Sequence, residues 1–334
     1  MEITIPAAVF FGAALFTVLA VWGAVRILKR RAILDLPNER SSHDTPTLHG
    51  GGLAVIPIIL LFWILLAFSP HGEADRALSL WIGGGALFLA VISWIDDLRG
   101  LSQITRLIVQ YAVVAVILSI PGDIQPTFQG LFPEWADQVL TALLWVWFIN
   151  LFNFMDGIDG ISGIEAGAIG LGLAGIMFVT DQHLDLGLYG LAVAGAGIGF
   201  LWWNWQPAKI FLGDVGSIPL GFLLGWLLIE LAGREMWVPA AILPLYYLGD
   251  ATLTLGVRAA RKEKIFQAHR DHFYQLAIKR GHSHARVALM IAAANVGLIV
   301  LALTSLAQPI PSLIAAAALT GWLLLNLAGR KAER

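Results

Sequence analysis

The chain contains no cysteine among its 334 residues, and only 13% of it is charged. The first absence removes disulfides, thiolate nucleophiles and cysteine-bound zinc, and says little about compartment. The second, beside a hydrophobic content of 58% and thirteen tryptophans, excludes a soluble protein of this size. No internal repeat, low-complexity tract or soluble appendage is visible, so repeat-built transporter architectures gain no support. The first apolar run also lacks the basic leader of a cleavable signal; its basic residues, Arg26, Lys29, Arg30 and Arg31, come at its end.

What remains is mostly apolar runs long enough to cross a bilayer as helices. Eleven spans are expected, at about 5–28, 51–68, 77–95, 104–120, 136–152, 164–180, 186–203, 216–232, 236–256, 286–306 and 310–328. The basic end of the first span should stay in the cytoplasm, which puts the N-terminus outside. Strict alternation then assigns nineteen of the twenty-one Lys and Arg residues to cytoplasmic segments, leaving only Arg76 and Arg234 outside. Removing or adding a helix near the middle would destroy that bias. The expected fold is all-α: one domain over 1–334, a polytopic integral membrane protein of about eleven transmembrane helices, its N-terminus periplasmic and its C-terminus cytoplasmic.

Every unusual polar cluster falls on the cytoplasmic side. The central one is Asn150-Leu-Phe-Asn153-Phe-Met-Asp156-Gly157-Ile-Asp159-Gly160. Its polar groups recur at every third position, and i, i+3 neighbours share a helix face. Carboxylates and carboxamides at a membrane boundary are costly unless something cationic or hydrogen-bonding meets them. The plain alternative is a polar loop capped by glycines. Asp96-Asp97 ends span 3, where adjacent carboxylates repel each other and face the negative end of the helix dipole; a divalent metal or a shared proton would relieve this. Phe211-Leu212-Gly213-Asp214-Val215-Gly216-Ser217 precedes span 8. Asp214 could simply cap that helix, yet the flanking glycines let a phosphate or metal approach the backbone. Asn204 adds an amide upstream and Lys209 a phosphate-seeking charge.

Two further loops are basic or rich in turns. The one after span 9 carries His269-Arg270-Asp271-His272, then His282 and His284, among Lys and Arg that would repel a cation. Such a loop suits a diphosphate; a positive loop against anionic lipids explains its Lys and Arg but not its histidines. In the loop before span 2, Arg40, Ser42 and His43 can hydrogen-bond phosphate ahead of the triple glycine Gly50–Gly52. A carboxylate set without thiols favours Mg²⁺, with Mn²⁺ as the alternative. Metal-assisted phosphoryl transfer matches this inventory best. A transporter or lipid flippase is the reading from another class, and it would call for ionisable residues near midplane, where the spans are nearly clean.

The ordered motifs Pro46-Thr47-x-x-Gly50-Gly51, Asp96-Asp97, Asn150 to Gly160, Phe211 to Ser217 and the His-rich last loop resemble the polytopic polyprenyl-phosphate N-acetylhexosamine-1-phosphate transferases (the MraY/WecA/WbpL-like family, glycosyltransferase family 4). The resemblance covers almost the whole chain. It implies that undecaprenyl phosphate attacks the sugar-linked phosphorus of a UDP-N-acetylhexosamine at the cytoplasmic face of a bacterial inner membrane, releasing UMP. It implies Asp214 as the principal Mg²⁺ ligand with Asp97 and Asp156 in support. Asp96 and Asp97 would handle the lipid phosphate, and His269, Arg270 and His272 would contact the diphosphate or sugar. Asn153, Gly157, Asp159, Asn204 and Phe211 would form the nucleotide pocket, Phe211 stacking on the base. The stretches Asn38–His43 and Ala268–Gln275 look closer to the O-antigen-initiating, WbpL-like branch than to the peptidoglycan-precursor branch, whose last loop carries consecutive histidines. GlcNAc or a relative such as FucNAc is therefore the preferred sugar, for a lipid-linked surface polysaccharide. Membrane lipids are the surroundings, a homodimer is compatible, and no nucleic-acid partner is expected.

Overall fold

The computed structural model describes residues 4–31, 34–35, 46–70, 76–120, 124–181, 184–263 and 269–329. The candidate phosphate ligands Arg40, Ser42 and His43 lie outside the described residues. The long helices are α1 (Thr4–Arg31), α2 (Gly52–Ala67), α3 (Arg76–Arg99), α4 (Gln103–Leu118), α5 (Glu134–Met155), α6 (Ile161–Thr180), α7 (Leu184–Asn204) and α8 (Asp214–Gly233). They are followed by α9 (Trp237–Ile242), α10 (Leu245–Ala260), α11 (Phe273–Lys279), α12 (His284–Thr304) and α13 (Pro309–Ala328). Among the described residues, eight helices are long and apolar enough to cross a membrane, and α2 and α4 are shorter apolar helices of 16 residues.

One expectation changes. The run expected to form one span at 236–256 is two helices, α9 and α10, separated at Leu243-Pro244. A proline inside a helix clashes with the carbonyl four residues back and gives no N–H; here Pro244 stands at the break and α10 begins after it. The fold is otherwise helical as expected, with one small addition at one end. Three very short strands, β1 (Leu34–Asp35), β2 (Thr47–His49) and β3 (Ile210–Phe211), pair in the order β1-β2-β3, the first two antiparallel and the last two parallel. Gly51 and Gly52 extend this contact by donating to the carbonyls of Phe211 and Leu212, each at 2.8 Å. The sheet ties the exit of α1, the start of α2 and the start of α8 together at one end of the bundle.

Helix α8 is the axis of the molecule: every residue from Val215 to Ala232 is buried, against α2, α3, α5, α6 and α9. Trp145 of α5 stacks on Phe222 with ring centroids 4.8 Å apart and donates its indole N–H to the Phe222 carbonyl at 2.9 Å. Helices in lipid gain no hydrophobic drive from packing on each other, so close backbone contact and hydrogen bonds hold them. The α6–α7 seam shows this. A Cβ on Gly170 would lie 2.4 Å from the Gly190 carbonyl, so the two backbones touch there. The outer face, by contrast, leaves Phe11, Leu15, Leu19, Leu87, Phe88, Ile108 and Leu325 exposed, as a surface solvated by hydrocarbon requires.

Candidate functional site

The ends of α1, α3, α5, α7 and α10 meet the starts of α2, α4, α6, α8 and α12 at one end of the bundle, and the polar motifs gather there. The row beginning at Asn150 is not one helix face. Helix α5 stops at Met155, so Asn150 and Asn153 ride its last turn while Asp156 and Asp159 leave in a loop. Asn150 donates to Gln110 of α4 at 2.6 Å. Asn153 donates to Asp214 Oδ1 and to Ser217 Oγ, each at 2.8 Å.

Two carboxylates, Asp96 and Asp214, share one cation, and a third, Asp97, stands beside them. Arg106, in the first turns of α4, places Nη1 3.1 Å from Asp96 Oδ2 and 3.2 Å from Asp214 Oδ2. Asp96, buried at the end of α3, also accepts from the Leu101 amide at 2.5 Å, which closes the turn into α4. Asp97 accepts from the Val215 amide at 3.3 Å and lies 3.3 Å from His49 Nε2. Burial pulls the His49 imidazole down, but Asp97 as hydrogen-bond partner and charge, then Asp35 and Asp214, outweigh it and raise its pKa. Asp214 is the first residue of α8, and no side chain caps that helix; Gly213 is the capping residue. The simple capping role is thus not the one its carboxylate plays. Sequence reasoning missed Arg106. The available signal was a lone arginine one turn past Ser102, whose side chain caps α4.

Around Asp156 a second group forms. Its carboxylate accepts from Ser162 Oγ at 2.6 Å. Burial pushes Asp156 up to about 6, the Ser162 bond opposing this and the charge of Asp214 adding to it. A Cβ on Gly157 would lie 2.1 Å from Tyr274 Oη, so this glycine admits the tyrosine of the last loop, whose hydroxyl donates to the Phe154 carbonyl at 3.2 Å. That loop is anchored by Asp250, a fully buried residue of α10. Asp250 Oδ1 lies 3.1 Å from His272 Nδ1 and accepts from the Phe273 amide at 3.0 Å, while Oδ2 accepts from the Tyr274 amide at 3.2 Å. Tyr246 and Thr254 hydroxyls complete its shell at 3.3 Å each. The rings of His269 and His272 stack at 5.0 Å. Burial, then the neighbouring His272 and Arg258, push His269 down to about 4, so its 3.8 Å approach to Asp271 is not an ion pair at neutral pH. The carbonyl of Arg270 accepts from Lys279.

Asp159, Asn204 and the Phe211 strand form a third group whose polar atoms are turned onto protein. Asp159 Oδ2 accepts from the Ala208 amide at 3.1 Å, and Oδ1 lies 3.1 Å from His284 Nδ1, a partner sequence reading did not foresee. Buried Asn204 accepts from the Gly160 amide at 2.8 Å and donates to the Ile210 carbonyl at 3.0 Å. These bonds brace the loop after α5 against β3. Phe211 itself remains partly exposed beside them. Lys209 is exposed, with its ammonium 5.2 Å from the Trp203 ring centroid.

The oxygen donors at Asp96, Asp97 and Asp214 outnumber the charges of Arg106 and His49, which suits a hard divalent cation. Among the described residues no three Asp, Glu or His side chains form a ready-made metal cage.

Long apolar helices around a buried axis, with a carboxylate–arginine site at one end, define a multi-pass helical membrane protein. The chain belongs to glycosyl transferase family 4, whose profile matches residues 79–232, a stretch that includes Asp96, Asp156, Asp159 and Asp214. It is 31% identical over 319 residues to the decaprenyl-phosphate N-acetylglucosaminephosphotransferase of Mycolicibacterium smegmatis, covering 84% of this chain and 77% of the relative. It is 27% identical to a probable undecaprenyl-phosphate N-acetylglucosaminyl 1-phosphate transferase of Bacillus subtilis, covering 85% and 80%. It is 29% identical to the phospho-N-acetylmuramoyl-pentapeptide-transferase of Mycobacterium sp. (strain JLS), covering 72% and 79%. The first two are named as N-acetylglucosamine phosphotransferases of decaprenyl phosphate and undecaprenyl phosphate.

Proposed function

We propose that this protein transfers an N-acetylhexosamine-1-phosphate from a UDP-sugar to undecaprenyl phosphate at the cytoplasmic face of a bacterial inner membrane. The observation that carries the proposal is the meeting of three carboxylates from two membrane-length helices: Asp96 and Asp214 share Arg106, and Asp97 accepts from the Val215 amide next to Asp214. In the reaction an oxygen of the acceptor phosphate forms a bond to the sugar-linked phosphorus. The bond from that phosphorus to the bridging oxygen breaks, and its electron pair leaves with UMP. A phosphate monoester has its second pKa near about 6, so the nucleophile is already largely ionised at neutral pH. Asp96 then serves to orient the acceptor more than to deprotonate it, and Arg106 offsets charge between acceptor and donor. Mg²⁺, held by Asp214 and Asp97 with Asp156 beside them, would supply charge neutralisation of the diphosphate. His269 and Arg270 would contact the diphosphate or sugar, with His272 fixed behind them on Asp250, and Phe211 offers its partly exposed ring to the uracil. Asn153 acts here by holding Asp214, and Asp159 and Asn204 act by shaping the nucleotide pocket through the backbone they brace.

The sugar is read as GlcNAc or a relative such as FucNAc, starting a lipid-linked surface polysaccharide of the O-antigen kind. In support, the GlcNAc-transferring relatives above align over 84–85% of this chain, whereas the muramoyl-pentapeptide one aligns over 72%. The test is Mg²⁺-dependent UMP release from UDP-GlcNAc and undecaprenyl phosphate by purified protein. Asp214→Asn should abolish it, because a neutral amide holds neither a hard cation nor Arg106. Full activity in that variant would sink the site assignment.

A further inference from the structure

On the outside of the bundle, at the end that carries the carboxylates, a groove of about 320 Å³ opens between α1 and α2. Ala20, Gly23 and Ile27 of α1 face Leu53, Pro57 and Ile58 of α2, and no lining residue is polar. The groove is open at Gly23, where a Cβ would meet nothing within 4 Å. Positions 20, 23, 24 and 27 form one row on α1, since residues three and four apart are helix neighbours. The row continues into Arg30 and Arg31, beside Lys29, in the last turn. These three side chains are exposed and have no ion-pair partner among the described residues, whereas Arg26 lies over the Trp22 ring at 3.4 Å. A slot for hydrocarbon ends, therefore, in a basic cluster that has no ion-pair partner among the described residues.

We propose that this groove binds one anionic phospholipid, its acyl chain along Gly23 and Pro57 and its phosphate against Arg30 and Arg31. Charge complementarity selects an anionic lipid over a zwitterionic one, and the groove turns a diffuse attraction into a single site. The test is native mass spectrometry of the full-length protein in detergent, titrated with phosphatidylglycerol or phosphatidylcholine. The wild type should retain one phosphatidylglycerol in preference to phosphatidylcholine. Gly23→Leu puts a side chain into the slot from a position where its Cβ meets nothing within 4 Å, and should lose that lipid. Arg30→Gln with Arg31→Gln should weaken phosphatidylglycerol binding roughly 25- to 30-fold, at about fivefold for each basic residue near an anionic surface, and leave phosphatidylcholine unaffected. Equal retention of the two lipids by the wild type, or retained phosphatidylglycerol in Gly23→Leu, would overturn the proposal. So would its displacement by equimolar undecaprenyl phosphate, which would assign the groove to the acceptor instead.

Discussion

Arg106 reaches Asp96 and Asp214 with a single nitrogen, joining α3 and α8 through α4. A guanidinium is planar and always charged, and a lysine ammonium matches it only as a point charge. Removing the arginine leaves two carboxylates facing each other across the position where the phosphates must lie. Hydrogen bonds to charged groups contribute roughly 1.5–3 kcal/mol, so Arg106→Gln should slow UMP release about ten- to hundredfold. Arg106→Lys should recover part of the loss. Wild-type rates in Arg106→Gln would remove this residue from the site. The sequence drew attention to the acids here and not to the arginine. Asp96 and Arg106 are close in the chain, but Asp214 is 108 positions further on, and only the packing of α8 brings that carboxylate in. Asn153 and Asp159 were legible as unusual polar residues; which of their atoms protein already satisfies was not.

At the scale of elements, residues 269–272, which lead into α11, are packed against α10. Asp250 gathers five donors from its own helix and from residues 272–274, and the His269 ring stacks on His272. His269 is neutral in this fold, with its pKa pushed to about 4 from the ordinary 6.5 by burial and then by His272 and Arg258. An unfolded loop takes up the proton near the ordinary value, so between those limits the opened state binds more protons. The packing of this loop should weaken as pH falls from about 6.5 toward 4, and lose nothing further below that. Hydrogen exchange of residues 269–275, corrected for the intrinsic rate at each pH, should show protection falling as pH drops in the wild type and a flatter response in His269→Gln. Identical profiles would contradict the neutral assignment. None of this was readable from the histidine spacing, which pointed to a ligand and carried no trace of the Asp250 anchor below it.

At the scale of the whole molecule, the long apolar runs were legible because a bilayer demands helices of that length. The spacing of those runs located the polar loops at one end. The break at Leu243-Pro244 escaped because the hydrophobic run continues through it, and the small sheet escaped because two- and three-residue strands leave no periodicity. Sidedness is directly testable, since the chain has no cysteine to give background labelling. Arg261→Cys, at the site end, should resist a membrane-impermeant maleimide in intact cells, and Glu134→Cys, at the opposite end, should react. The reverse pattern would invert the topology. The most direct measurement of the central claim is mass analysis of the lipid product. Purified protein would be incubated with Mg²⁺, undecaprenyl phosphate and, in separate reactions, UDP-GlcNAc, UDP-FucNAc and UDP-MurNAc-pentapeptide. The account predicts an undecaprenyl diphosphate carrying a single N-acetylhexosamine from one of the first two donors, with stoichiometric UMP. Product from the pentapeptide donor alone, or release of UDP in place of UMP, would contradict it.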